Sequence, residues 1–311
     1  RVKDSISPLD GRYSSYVEEL LPYFSEKALM RYRVMIEIEY LISLSKEKNF
    51  DGLPKFTKKQ EASYRNIYLK FNSISADKIK KIERQTNHDV KAVEYYIRSK
   101  VNKSIHPWVH FALTSEDVNN LSYTLMWKDA LNKIYIPQLK SLLSELNLLS
   151  RKYSNSPMLS MTHGQAATPT TFGKEIKVFA KRIERQIVGI NKHKFLGKFG
   201  GATGTWSTHT VVYPNVNWIL FAKNYIKSLN LDPNIVTTQI EPHDSIAESY
   251  HQLVRINSIL TDLCRDFWYY ISRGILIQKK IKGEVGSSAM PHKINPIQFE
   301  NAEGNLGIAN A

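Results

Sequence analysis

The residues best suited to move protons or hold anions lie in a few polar islands between long apolar-periodic segments. The richest is Gly283 to Asn301, GEVGSSAMPHKINPIQFEN. It places Ser287, Ser288, His292, Lys293 and Asn295 behind Gly283 and Gly286, and glycines allow a loop to approach a ligand closely. Asn295 as a cap, Pro296 at the first helical position and Gln298 as capping partner predict a helix start there. Helix N-termini favour anions. A second island, Ser156 to Pro169, sets His163 among hydroxyls, and its prolines and glycine predict a loop. Arg12 follows the Asp10-Gly11 turn signal, and its plainer reading is a surface residue. Glu83 to Val90 is a polar run whose His88 also suits a helix cap. Thr114 or Ser115 can cap a helix, with Glu116 and Asp117 favourable in its first turn. Thr237 to Asp244 is a further polar loop. Together these supply His163 as acid or base, Ser287 or Ser288 as a hydroxyl, and Lys293 and Arg12 as anion holders. That set suits proton transfer on an anionic substrate. A serine acts as base only if its alkoxide is stabilised by backbone N–H groups, a helix end or a cation.

Other chemistries lack their residues. There is no HExxH, no tight carboxylate–histidine cluster and no GxSxG, so neither a metal site nor a nucleophile elbow is supported. The glycine stretch GKFGGATG (197–204) lacks the Gly-Lys-Ser/Thr of a phosphate loop and reads as a tight connection. Cys264 is the only cysteine, which excludes a disulfide framework within one chain. Its apolar helical neighbours Leu260, Leu263 and Phe267 make it a buried structural thiol.

The elements that must position these islands are helical. Residues 25–48 read as an amphipathic helix through Leu29, Tyr32, Ile36, Tyr40 and Leu44. Helix resumes from a cap at Thr57 to Ser73, breaks at 72–77, continues through Ile82, and returns over 91–101. Residues 121–152 read as helix with a kink or break at Pro137. Gly173 to Lys194 is strongly periodic, 211–216 reads as a short extended piece, and 217–229 as a helix. Ser245 to Lys282 gives one very long pattern, roughly 50 Å or more at 1.5 Å per residue. A helix that long needs others beside it. With no clear strand series, the expected fold is all-α. A small helical N-terminal domain (1–111) precedes a long-helix bundle (112–311).

With 311 residues and 42% apolar content, the chain can bury a sizeable core. The net charge of +14 suits an anionic partner. The lysines are scattered over helices without interleaved aromatics, which argues against nucleic acid. No membrane span or signal pattern is seen, and an intracellular, cytoplasmic setting is the default expectation. A start without methionine suggests a processed or cut chain.

The islands also carry a resemblance. GSSAMPHKINP is similar to the GSSxMPxKxNP signature of the fumarase/aspartase superfamily. ALTSEDVNN and MTHGQAATPTTFGKE resemble its first and second conserved regions, and all three occur in family order. SPLDGRY, KIERQTNHDVKAVEYY and TTQIEPHDSIAE, with His292 inside the signature, resemble the longer, bacterial-type branch that acts on a purine nucleotide.

This resemblance implies an enzyme, a C–N lyase that releases fumarate by β-elimination through a carbanion, with no cofactor and no metal. Ser287 would take the Cβ proton, His163 would protonate the leaving nitrogen, and Glu300 would orient that histidine. Lys293 and Asn295 would hold the succinyl carboxylates, assisted by Thr114, Ser115 and Ser288. Arg12 and Tyr13 would meet the phosphate, Asn87, His88 and Asp89 would line the site, and Gln239 and Asn301 would add contacts. The branch implies a homotetramer whose active sites are shared among subunits, its long helices forming the common core. It also implies a C-terminal domain beyond Ala311. Met161 and Ala166 depart from the arginine and proline common in this branch. The alternatives are a sister lyase releasing fumarate from a substrate without a nucleotide, or a non-enzymatic basic helical nucleic-acid-binding or structural protein.

Overall fold

A computed structural model describes residues 5–279, 290 and 293–311. The fold is all-α with two small sheets, and the chain divides into two compact units. The first contains the chain up to Tyr135 together with Lys194–Ile246, and the second Ile136–His193 and the chain from Ala247 onward.

The first unit is built on α2 (Glu26–Lys46), which follows the short α1 (Leu21–Phe24). Ser25 caps α2, its hydroxyl accepting from the Ala28 N–H at 3.1 Å. The expected amphipathic helix is instead buried over most of its circumference. Tyr32, Ile36 and Tyr40 form the stripe read from sequence, and Val34, Ile38, Leu41 and Ile42 bury the remaining faces. A helix apolar all round belongs in a core. Helices α3 (Lys58–Leu69), α4 (Ser73–Thr86), α5 (Asp89–Arg98) and α6 (Ser115–Ala130) surround it. Thr57 and Gln60 form the capping box that opens α3. Asn72 caps α4, so the expected break at 72–77 shrinks to the residues before Ser73. Helix α4 also absorbs Glu83 to Thr86, leaving only Asn87 and His88 outside helix in that polar run.

Charged residues on α2 reach outward to fixed partners. Arg33, 5% exposed, pairs with Asp89 at 2.7 Å and donates to Asn119 of α6 at 2.9 Å. Glu37 meets His110. Glu39 accepts two hydrogen bonds from Arg65, at 2.8 and 3.0 Å. Such buried charges persist only when paired and hydrogen-bonded. The short extended piece expected at 211–216 is not formed: Val211 and Val212 end α9 (Ser207–Val212), and no strand follows before Trp218. The helix expected over 217–229 is α10 (Trp218–Ser228), capped by Asn217, which accepts from the Leu220 N–H at 3.0 Å. Leu196–Gly197 (β3) pairs in parallel with Asp232–Pro233 (β4).

The helical run 121–152 is interrupted by a π-helical segment at Leu131–Tyr135 before α7 (Ile136–Lys152). Pro137 has no N–H to give the carbonyl four residues earlier, which accounts for the irregular turn at this point. In the second unit α7 packs on α8 (Phe172–Asn191), whose buried stripe is Ile176, Phe179, Ile183, Ile187 and Ile190. Helix α11 (Asp244–Ser272) is about 43 Å long at 1.5 Å per residue. It stops ten residues short of the Lys282 end expected from sequence. Gly274 takes φ 71° and the Ile275 N–H donates to Tyr270 O at 2.9 Å, the 6→1 bond of a glycine-terminated helix. Lys282 itself lies outside the described residues. Helix α12 (Ile297–Asn310) adds Phe299 in a stacked contact with Phe267, centroids 5.1 Å apart.

The island Ser156 to Pro169, expected as a loop, is an antiparallel hairpin of β1 (Pro157–Thr162) and β2 (Gln165–Thr171). His163 (φ 54°) and Gly164 (φ 72°) form its two-residue turn. Positive φ at both central positions is the turn that matches strand twist. Cys264 is buried, as expected, and burial pushes its thiol up. No helix among the described residues is long and apolar enough to cross a membrane.

Candidate active site

The first unit assembles its polar residues on the N-terminal turn of α6. Thr114 is the cap, and its N–H donates to Asp117 Oδ2 at 3.0 Å. Asp117 is 1% exposed and collects further partners. The N–H groups of Gly200 and Gly201 donate to it at 3.0 Å each, and Lys198 Nζ lies 2.7 Å away. Lys198, also 1% exposed, donates onward to Gly201 O at 3.0 Å. Asn120 exchanges two hydrogen bonds with the Lys198 backbone, at 2.9 and 2.8 Å. The glycine stretch 197–204 is thus a tight connection, as expected, and it also clamps α6.

The same stretch supports the polar loop after it. Gly204 has φ 75°, and a Cβ built there would lie 2.2 Å from Thr237 O and 2.5 Å from Thr238 O. The next residue, Gln239, donates from Nε2 to Thr114 Oγ1 at 3.2 Å. Two residues predicted to bind substrate therefore touch. With its oxygen accepting from Gln239, the Thr114 hydroxyl proton is available to an anion. Ser115 begins α6 beside them. Burial pushes the Glu116 carboxyl up, against the opposing pull of His243, Lys198 and the Glu241 backbone N–H.

The corner Asn87–His88–Asp89 lies between α4 and α5. Asn87 adopts φ 49° and ends α4. His88 caps α5, its Nδ1 accepting from the Lys91 N–H at 3.1 Å, which leaves Nε2 as the ring's free donor. Burial would raise the Asp89 carboxyl, but Arg33 and the Val90 N–H outweigh it and hold it below its usual range. Through Arg33 this corner is tied to Asn119 on α6. Arg12 and Tyr13 lie in the turns of residues 7–13, both exposed, with the guanidinium 5.6 Å from the Tyr13 ring centroid. Among the described residues, no hydrogen bond or ion pair joins them to Thr114, Gln239 or the 87–89 corner.

Two further histidines in this unit serve the frame. For His110, burial works against the charge, but Glu37, with help from Glu94, wins and raises its pKa. His209 is 0% exposed, with Nε2 3.2 Å from the Tyr40 hydroxyl. Burial, aided by Lys198, pushes it down to about 4, so it is neutral at pH 7.

In the second unit His163 stands exposed at the hairpin tip. Arg273 braces the turn, donating to Gly164 O at 3.3 Å and to the Tyr269 hydroxyl at 2.8 Å. Its other nitrogen lies 3.6 Å from Met161 Sδ. A cleft of about 560 Å³ is lined by Ser160, Met161, Thr162, Glu175, Asp266 and Tyr269. A second cleft, about 640 Å³ and lined by Arg182, Arg185 and Arg255, holds none of the expected site residues.

Lys293 is exposed and Asn295 half-buried. Asn295 does not cap α12: the helix begins at Ile297, one residue later than expected, with Pro296 at the cap position. That removes one claim on the Asn295 side chain. Glu300 is in the first turn of α12, with Asn301 next to it, and both are exposed. No hydrogen bond or ion pair among the described residues joins His163 to Glu300. Ser287, Ser288, His292 and the proposed hinges Gly283 and Gly286 lie outside the described residues. Among the described residues, no group of three or more His, Cys, Asp or Glu is arranged to hold a metal.

A family model described as Lyase matches residues 11–309. The chain belongs to this lyase family, within the fumarase/aspartase superfamily. The lyase is 48% identical, over 318 aligned positions, to the adenylosuccinate lyase of Dictyostelium discoideum, covering 99% of this chain and 68% of that protein. It is 47% identical to the adenylosuccinate lyase of Legionella pneumophila strain Corby, covering 99% and 69%. To that of Escherichia coli K12 it is 45% identical, covering 99% and 68%. A crystal structure of fumarate lyase from Mesorhizobium sp. BNC1 shares the fold, with TM-score 0.72 and 18% identity. That match covers 94% of this chain and 63% of the other, so the chain spans less than two thirds of that structure's length.

Sequence reasoning missed the residues that brace the candidate site: Arg33, Lys198, His243 and Arg273. Arg33 and Glu37 had a usable signal, being charges four apart inside an apolar helix. Lys198 and Arg273 meet partners far away in sequence and nothing local marks them, while His243 lies in the polar loop 237–244 but faces Glu116 on α6.

Proposed function

We propose that the protein cleaves the C–N bond of adenylosuccinate without hydrolysis, releasing fumarate and AMP. The same elimination would act on the succinyl-aminoimidazole-carboxamide ribotide of purine biosynthesis. The observation that carries this reading is the similarity to adenylosuccinate lyases at 44–48% identity across 99% of the chain. It runs through Arg12–Tyr13 and the 87–89 corner, which suit a substrate with a phosphate. That favours this reading over argininosuccinate lyase, whose substrate has no nucleotide.

In this proposal Ser287, as alkoxide, takes the Cβ proton of the succinyl group. The carbanion is held as an aci-carboxylate by Lys293 and Asn295, with Thr114, Ser115 and Ser288 assisting. Its electron pair forms the new C=C bond as the C–N bond breaks, and the departing nitrogen receives a proton from His163. Glu300 orients that histidine. Arg12, Tyr13 and His88 meet the phosphate, while Asn87, Asp89, Gln239 and Asn301 complete the lining. Thr114, accepting from Gln239 and backed by the buried Asp117–Lys198 pair, is a prebuilt donor for a carboxylate. The net charge of +14 favours capture of a polyanion.

The assembly is a homotetramer in the cytoplasm, with three subunits contributing to each site, and needs no cofactor, metal or nucleic acid. Its chain is organised as an N-terminal domain (1–111), a bundle domain (112–311) and a C-terminal domain. Full-length protein incubated with adenylosuccinate should yield AMP and fumarate in equal amounts, with Ser287→Ala reducing the rate at least about a hundredfold. Turnover of argininosuccinate instead, or of neither substrate by a folded tetramer, would overturn the substrate assignment. An unaffected Ser287→Ala variant would remove Ser287 as the base.

A further inference from the structure

We infer that His243 is a positioning residue for the Thr114–Gln239 pair, holding the 237–243 segment against the first turn of α6 from between two carboxylates. The inference rests on the reading above, in which Thr114 and Gln239 contact substrate.

Gln239 is on a loop, and a loop that grips substrate must be fixed at both ends to present its amide at hydrogen-bond distance. The upstream anchor is Gly204, whose missing side chain leaves room for the carbonyls of Thr237 and Thr238. The downstream anchor is the Glu241–His243 turn. Glu241 is 1% exposed, its Oε1 accepting from Asn234 Nδ2 at 3.0 Å and its Oε2 from the His243 N–H at 2.6 Å. This bond curls the chain over Pro242 and leaves His243 at φ 61°, an uncommon conformation for a non-glycine residue. The ring is thereby aimed at two acids, with Nδ1 3.4 Å from Glu241 Oε2 and Nε2 3.6 Å from Glu116 Oε1.

Glu116 is the second residue of α6, two after Thr114. Its Oε1 is buried with no hydrogen-bond partner among the described residues. A buried carboxylate oxygen in that state is costly, and the His243 ring nitrogen Nε2 lies within ion-pair distance of it. The strained turn therefore sets an imidazole nitrogen against an acid on the same helical turn that carries Thr114 and Ser115. His243 itself is 39% exposed, so replacing its ring opens no core cavity.

The test is a double-mutant cycle on the full-length protein with adenylosuccinate as substrate, comparing wild type, His243→Gln, Gln239→Ala and the double variant, with Glu116→Gln alongside. If His243 acts through Gln239, His243→Gln raises KM roughly tenfold, mid-range for coupled residues in contact, and changes kcat less than about twofold. Glu116→Gln, which removes the facing charge at constant shape, raises KM in the same direction. On the Gln239→Ala background, His243→Gln then adds less than about twofold. A fall in melting temperature with KM unmoved in both single variants would overturn the inference, as would fully additive effects on KM. Gln239→Ala leaving KM unchanged would instead overturn the substrate-contact reading, and the inference with it.

Discussion

The turn of α6 that carries Thr114 and the hairpin that carries His163 are built in opposite ways. The first is locked from below. Asp117 takes three backbone N–H groups and a buried lysine, Asn120 pins the Lys198 backbone, and Arg33 ties α6 to the 87–89 corner. The second is two strands with an exposed tip, held at the turn by Arg273 and backed by Tyr269. The contrast suits the two tasks proposed for them. A group that holds a carboxylate gains from being fixed before substrate arrives. A group that delivers a proton must meet the departing nitrogen, and an exposed turn leaves its ring accessible.

If the comparison is right, damage to the first region is structural and damage to the second is kinetic. The largest effect is expected from Lys198→Ala, which leaves Asp117 buried without its cation. Breaking such a pair costs about 3–5 kcal/mol, read as a shift in the urea midpoint at unchanged slope. A loss under about 1 kcal/mol would mean that α6 does not depend on this lock.

A pair of glycines sharpens the contrast. Both Gly204 and Gly164 have positive φ, but a Cβ at Gly204 meets backbone oxygen at 2.2 Å, while at Gly164 the nearest atom is the Tyr269 hydroxyl at 3.4 Å. Gly204→Ala should cost about 3 kcal/mol, from the strained φ plus overpacking against backbone that cannot move aside. Gly164→Ala should cost about 1 kcal/mol, from φ alone. Equal losses in thermal or urea unfolding would show that the hairpin is packed as tightly as the α6 turn.

Much of this frame was legible because it is local. Thr57 with Gln60, Thr114 with Asp117, and Asn217 announce helix starts through side chains that bond three residues away, a distance a sequence displays. The hairpin was not legible. Met158 to Thr171 alternates poorly, contains Pro169 and several small residues, and offers only His163-Gly164 as a turn signal weaker than Asn-Gly. The end of α11 was misread because apolar periodicity continues through Ile275 past Gly274, and only the left-handed glycine stops it. The readings of Arg12, His88 and Gln239 as site residues rest on motifs. The groups that brace these regions, Arg33, Lys198, His243 and Arg273, have partners from 56 to 127 residues away. No window of sequence shows such a pairing.

The most direct test of the division between a holding region and a proton-delivering one is the steady-state rate of His163→Gln in the full-length protein on adenylosuccinate. The proposal predicts unchanged melting temperature, KM within about twofold of wild type, and kcat lower by about 10²–10⁴-fold, the usual loss when a general acid is removed. An unchanged kcat, or a loss that appears only in KM, would contradict the assignment of His163 as the group that protonates the leaving nitrogen.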